Sequence, residues 1–137
     1  MTFENKLVAI LNKDVEHGVV MNALAHMSVG LGGDIGKDLL RLDTYLDANG
    51  NAFPNISQIP FIILRAKSNE IRKTVVSARE HKIEHTVFLN TMTGGTYIEQ
   101  LERTKTTSEE GLIYYGCVLF GPWEKVTEIT RKFSLWK

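Results

Sequence analysis

Four short, largely apolar runs punctuate the chain: "KLVAILN" at 6–12, "FIILRAK" at 61–67, "EHTVFLN" at 84–90 and "LIYYGCVLF" at 112–120. Runs of this length, closed by turn or charged residues, predict buried strands. Between them the pattern changes period. Val20, Ala23, Leu24, Met27 and Leu31 fall at helical spacing after the first run. "SNEIRKTVVSAREHK" (68–82) places Ile71, Val75 and Ala78 on one helical face and many charges on the other. "TYIEQLERTK" (96–105) predicts a short helix in which Thr96 and Glu99 stand at capping-box spacing. "GPWEKVTEITRKF" (121–133) predicts a last helix with Pro122 at its first position. Residues 38–51 lack a clean period and are expected to be an extended segment or edge strand, turning at Ala48–Asn51. Strands alternating with helices predict an α/β domain. The expectation is one domain over 1–137, in three layers (α/β/α), with a mixed sheet of about four core strands.

One segment is unusual. From Gly18 to Gly33 there is no Lys, Arg, Asp or Glu, and His26 is the only ionisable side chain. Met21, Ala25 and Val29 add a second apolar row to the stripe already named. A helix apolar on more than one side is covered on more than one side. The cover is expected from residues 34–60 or from a second subunit, giving a homodimer through helix 18–33.

Composition narrows the classes. The 137 residues are 43% apolar, enough for one core, and formal net charge is zero. Neutrality disfavours nucleic-acid binding by charge alone. Cys117 is the only cysteine, so an intramolecular disulfide and a cysteine-based zinc site are excluded. It is expected to be a buried strand residue. No His or carboxylate cluster has ligand spacing, and neither metal nor cofactor is expected. "Asp47-Ala-Asn49-Gly-Asn51" resembles a calcium loop only superficially, because Gln58 stands where the closing Glu belongs. "MTFENK" is not a signal peptide, and the 18–33 segment is too short and polar to span a bilayer. No membrane association and a cytoplasmic location are expected.

Three stretches, in their order and spacing, carry a resemblance: "NKDVEHGVVMNALAH", "TVFLNTMTGGT" and "GCVLFGPWEKVTEIT". Over nearly its whole length the chain resembles the peptidyl-tRNA hydrolase type II fold, and more closely the DUF2000 family of uncharacterised proteins. The hydrolase pattern implies an Asp, a Gly followed by a functional Lys, and a His eight residues after that Gly. Asp14, Gly18 and His26 fit, but Val19 stands at the Lys position and Ala23 at that of a helix Gln. A second basic position matches Arg65, the loop Asp falls near Thr91 with one residue inserted, and the loop Thr matches Thr96. A valine supplies neither the charge nor the three donors of an ammonium. The resemblance therefore implies a kept scaffold without peptidyl-tRNA hydrolysis.

The candidate chemistry centres on His26, a general acid/base or a ligand donor, because imidazole is the side chain suited to proton transfer near neutrality. Asn22 lies one helical turn earlier on the same side. "NTMTGGT" offers Thr91, Thr93 and Thr96 with Gly94 and Gly95 before a helix, a setting that suits an anion or an acyl group. Lys13 and Arg65 complete the set. Two readings stand: a binding module for a small anionic or acyl ligand, and a hydrolase of an acyl ester or amide using His26. A third is a subunit of a larger assembly. The pocket is expected between the helix carrying His26 and loop 90–96, with loops 13–18 and 90–96 rimming one crevice and His26 deeper if their strands are parallel and adjacent.

Overall fold

The structure, a computed structural model, describes residues 3–137; the first two residues of "MTFENK" lie outside them. The four expected strands are present and share one mixed sheet. They are β1 (Asn5–Asn12), β4 (Phe61–Ala66), β5 (Glu84–Leu89) and β6 (Tyr114–Pro122). A two-residue strand, β7 (Ser134–Leu135), extends the sheet, whose order is β5-β6-β1-β4-β7. β1 and β4 are parallel, and β6 runs antiparallel to both β1 and β5. The C-terminal ends of β1, β4 and β5 therefore lie at one end of the sheet.

Four helices connect the strands: α1 (His17–Ile35), α2 (Ser68–Glu80), α3 (Tyr97–Lys105) and α4 (Trp123–Thr130). Alternation along the strands decides what each helix covers. Leu7, Ala9 and Leu11 of β1 pack with Val20, Ala23, Met27 and Leu31 of α1. Val8 and Ile10 pack instead with Ile71, Val75 and Ala78 of α2 and with Val126 of α4. α1 lies mainly over β6 and β5, less over β1. Gly116 of β6 makes that approach close, since a Cβ there would stand 3.0 Å from Met27 Cε and 2.9 Å from Leu11 Cδ2.

A bulge refines the face of β6. Phe88 pairs with Gly116 and Leu89 with Tyr114, leaving Tyr115 as the extra residue. Tyr114 consequently joins the α2 side, and Tyr115 packs on the α1 side. The displaced backbone is satisfied by side chains. Buried Asn12 donates through Nδ2 to the Tyr114 carbonyl (2.9 Å), and the Tyr114 N–H donates to Ser68 Oγ (2.9 Å). Burial pushes the Tyr114 hydroxyl above its ordinary pKa, with Glu109 adding to the rise, and pushes the Cys117 thiol up to about 12.

Three boundaries differ from the sequence reading. The last helix starts at Trp123, because β6 continues through Pro122, which sits at the cap with φ −53°. α1 runs through Gly32 and Gly33 and stops at Gly36, whose φ is +87°. Residues 38–51 contain a turn, then β2 (Leu42–Leu46), and a further strand, β3 (Ala52–Ser57), pairs with β2 in a separate hairpin. Residues 34–60 do not cover the outer row of α1: Met21 is 66% and Val29 77% exposed.

Candidate functional site

Beyond the end of β5 the chain makes a 3-10 turn (Asn90–Met92), a loop, and then α3. Gly94 and Gly95 hold φ of +72° and +69°, a left-handed pair that swings the chain back toward α1. The loop is clamped from within. One guanidinium nitrogen of Arg103 donates to the carbonyls of Thr91 (3.1 Å), Thr93 (2.8 Å) and Gly94 (2.8 Å). The expected capping box is present: Thr96 N–H donates to Glu99 Oε1 (2.9 Å), and Glu99 N–H donates to Thr96 Oγ1 (3.2 Å). The Thr96 bonds, with Arg103 adding, hold the Glu99 carboxyl below its ordinary pKa.

These bonds assign the loop hydroxyls. Thr104 Oγ1 donates to the Gln100 carbonyl (2.8 Å), so the proton in its 2.7 Å contact with buried Thr91 comes from Thr91. Thr93 Oγ1 donates to the Asn90 carbonyl (2.8 Å). Thr91, Thr93 and Thr96 thus all serve the turn and the helix start. A carboxylate of the chain itself stands at the N-terminus of α3, where an anion would otherwise be favoured.

Between α1 and α3 lies an open cleft of about 680 Å³. Its floor is Phe88, whose ring lies 5.9 Å from the His26 ring and 6.2 Å from the Tyr115 ring, stacked on the latter. Asn22 and His26 form the α1 wall; Met92, Thr93 and Gly94 form the end; Tyr97, Gln100, Leu101 and Thr104 form the α3 wall. Asn22 and His26 are exposed, and neither side chain has a hydrogen-bond partner among the described residues. Gln100 donates through Nε2 to the Gly94 carbonyl (3.2 Å), which leaves its Oε1 free to accept. No Lys, Arg, Asp or Glu lines the cleft. The wall on α3 has little backing: no residue of that helix is buried, and it packs chiefly on the 90–92 turn.

The cleft brings together Asn22, His26, Thr93 and Gly94 of the sequence-derived set. Thr91, Gly95 and Thr96 lie just behind it, in the loop. Lys13 and Arg65 lie elsewhere. β1 and β5 are parallel, but β6 separates them, which sets their ends about 10 Å apart. The Lys13 N–H is tied to the carbonyl of Ala66, the last residue of β4 (3.0 Å). Arg65 is exposed on β4, between Leu11 and Ser134 and on the far flank of α1. The body of α1 forms the second wall, and no residue of the 13–18 loop lines the cleft. Sequence reasoning missed Phe88, Met92, Tyr97, Gln100, Leu101 and Thr104. The i, i+3, i+4, i+7 series Tyr97, Gln100, Leu101, Thr104 marks one face of α3 and was a readable signal.

Among the described residues no group of three or more His, Cys, Asp or Glu side chains is placed to hold a metal. Nor is any described helix long and apolar enough to cross a membrane. No curated protein matches the chain significantly. A solved protein of unknown function from Agrobacterium tumefaciens strain C58 superposes with a TM-score of 0.87 at 20% identity, covering 99% of this chain and 100% of its own. A family model described as "Protein of unknown function (DUF2000)" matches residues 5–137. With all but the first four residues inside that match, the chain belongs to the DUF2000 family.

Proposed function

We propose that this protein is a small-molecule binding module and that its ligand sits in the cleft between α1 and α3. One observation carries the reading. Two polar side chains one helical turn apart, Asn22 and His26, are left without internal partners opposite Phe88, Met92, Tyr97 and Leu101. An apolar cleft with a few convergent polar groups suits a ligand with an apolar body and one hydrogen-bonding edge. Of the two ligand classes the sequence suggested, an uncharged acyl or aromatic amide fits better than an anion. The Thr91 and Thr93 hydroxyls are committed, no Lys or Arg side chain lines the cleft, Arg103 is turned to the loop carbonyls behind it, and Glu99 already occupies the start of α3. Asn22 would take the amide, with His26 as donor or acceptor at the edge.

We further propose a single domain with the three-layer, peptidyl-tRNA hydrolase II-like architecture. Its support is α1 on one sheet face and α2 with α4 on the other. The experiment pairs binding with stability. His26→Ala and Asn22→Ala are expected to weaken binding of a neutral acyl-amide probe such as N-acetylphenylalaninamide by 10-fold or so, which is about 1.4 kcal/mol. Their denaturation midpoints should stay at the wild-type value, because both side chains are exposed. Loss of stability with unchanged binding would overturn the reading.

A further inference from the structure

The hairpin β2–β3 stands apart from the rest of the chain. It joins no strand of the main sheet, and beyond Leu42 at its root it makes no substantial contact with any helix. Yet it is carefully built. At its tip, Asp47 Oδ1 accepts from the N–H groups of Asn49 and Asn51 (both 2.9 Å), and Oδ2 accepts from Asn51 Nδ2 (2.9 Å). At its root, Arg41 donates to Gln58 Oε1 (3.1 Å), and Gln58 Nε2 donates to Asp43 (3.0 Å). An isolated two-stranded hairpin is marginal in water. This one also exposes Tyr45, Leu46, Phe53 and Ile56, at 58, 69, 54 and 56%. Tyr45 lies opposite Phe53, and a bulge at Asn55 (φ +70°) brings Ile56 opposite Asp43 on that same face. Pro54 lacks an N–H, which makes β3 a poor edge for strand addition, so the hairpin is suited to docking through its side chains.

The same chain offers a surface of matching character. The outer row of α1 leaves Met21 and Val29 uncovered. Beside it, a narrow apolar hole of about 150 Å³ opens between the C-terminal half of α1 and β4, bounded by Leu31, Gly32, Ile35 and Phe61 and, on the hairpin's side, by Leu40 and Ser57 at its root. Phe61 is itself 41% exposed. Only the root of its own hairpin, through Leu42 and Ser57, reaches this side of α1, so Met21, Val29 and Phe61 stay uncovered within one chain.

We infer that β2–β3 is a dimerisation arm that docks on the α1 surface of a second copy of this chain, one apolar side chain of the arm filling the hole. A two-fold axis makes the exchange reciprocal, so every arm and every dock is used once. The area is adequate. Tyr45, Phe53 and Ile56 share the docking face, Leu46 pointing to the other, and at half exposure two aromatic side chains and one isoleucine offer roughly 350 Å². Met21, Val29, Phe61 and the hole add roughly 250 Å², which brings each copy to roughly 600 Å², the low end of the ~600–1,000 Å² per partner of a standard interface.

Sedimentation equilibrium at about 50 µM, well above a micromolar Kd, tests this. The wild type is expected at twice the 15.5 kDa chain mass. Tyr45→Asp/Phe53→Asp should sediment as a monomer with an unchanged far-UV spectrum, since both positions are exposed within one chain. Val29→Asp, on the dock, should do the same. A wild-type monomer overturns the inference, whether or not it binds phospholipid vesicles through the same residues. So does an arm variant that remains dimeric. Because neither arm nor dock lines the α1–α3 cleft, these outcomes are independent of the ligand-binding reading.

Discussion

Gly116 is the point where α1 comes down on the sheet, and replacing it with alanine has a calculable consequence. The new Cβ would stand 2.9 Å from Leu11 Cδ2, 3.0 Å from Met27 Cε and 3.1 Å from the Ile10 carbonyl oxygen. The first two atoms end flexible side chains and are able to retreat. The third is backbone of the central strand, paired on both sides, and is not. Overpacking of this kind costs about 1–3 kcal/mol. Replacing a strand glycine with alanine returns about 0.5–1 kcal/mol of backbone entropy. The net expectation is a loss of about 1–2 kcal/mol. With a urea slope of about 1–3 kcal/mol/M, the midpoint should fall by roughly 0.5–1 M. Met27→Ala costs stability alone, by cavity formation, but combined with Gly116→Ala it should cost less than the sum, because it removes one of the clashing atoms. A Gly116→Ala protein as stable as wild type, or strict additivity with Met27→Ala, would refute the account of how α1 is seated. Since α1 carries Asn22 and His26, a displaced helix should also weaken ligand binding in the cleft.

Cys117 is fully buried, with its pKa pushed up to about 12. Its reaction with Ellman's reagent at pH 8 should be negligible in the native protein and should appear with the unfolding transition; rapid native labelling contradicts the packing of β6. Glu99 has a folded pKa below its unfolded value, so its capping contribution is complete above the unfolded pKa and lost as pH falls through the folded one. Amide exchange protection in 97–105 should drop on that acid limb, and Glu99→Gln should flatten the dependence. Peptidyl-tRNA should not be turned over, because Val19 occupies the position of the ammonium that the hydrolase pattern requires. Turnover within tenfold of a type II hydrolase would refute this.

The elements with strong periodicity were readable because local pattern and tertiary role agree in them. The strand runs bury both faces in β1 and β6, and Thr96 with Glu99 forms a box whose spacing alone specifies it. β3 was not readable. Pro54 and Asn55 read as loop residues, and the bulge at Asn55 breaks the two-residue period that would have tied Phe53 to Ile56. The site was half legible. Asn22 and His26 share a side of α1 by helical geometry, so their convergence followed from spacing. Placing Lys13 and Arg65 with them required β1 and β4 to lie next to β5, and strand order is a non-local property that inserted β6 between β5 and β1 and left β4 beyond both. The loop threonines lie at the cleft or just behind it, but hydroxyls reveal only in three dimensions whether their protons face open space or another group of the chain.

The central claim is that the α1–α3 cleft binds an uncharged ligand with an apolar body. Titrating N-acetylphenylalaninamide into ¹⁵N-labelled protein, with inorganic phosphate as the anionic control, tests it most directly. The account predicts saturable shifts at Asn22, His26, Phe88, Met92–Gly94 and Tyr97–Thr104 for the amide, with none of comparable size for phosphate. Shifts confined to other surfaces, or a response in the cleft to phosphate alone, would contradict it.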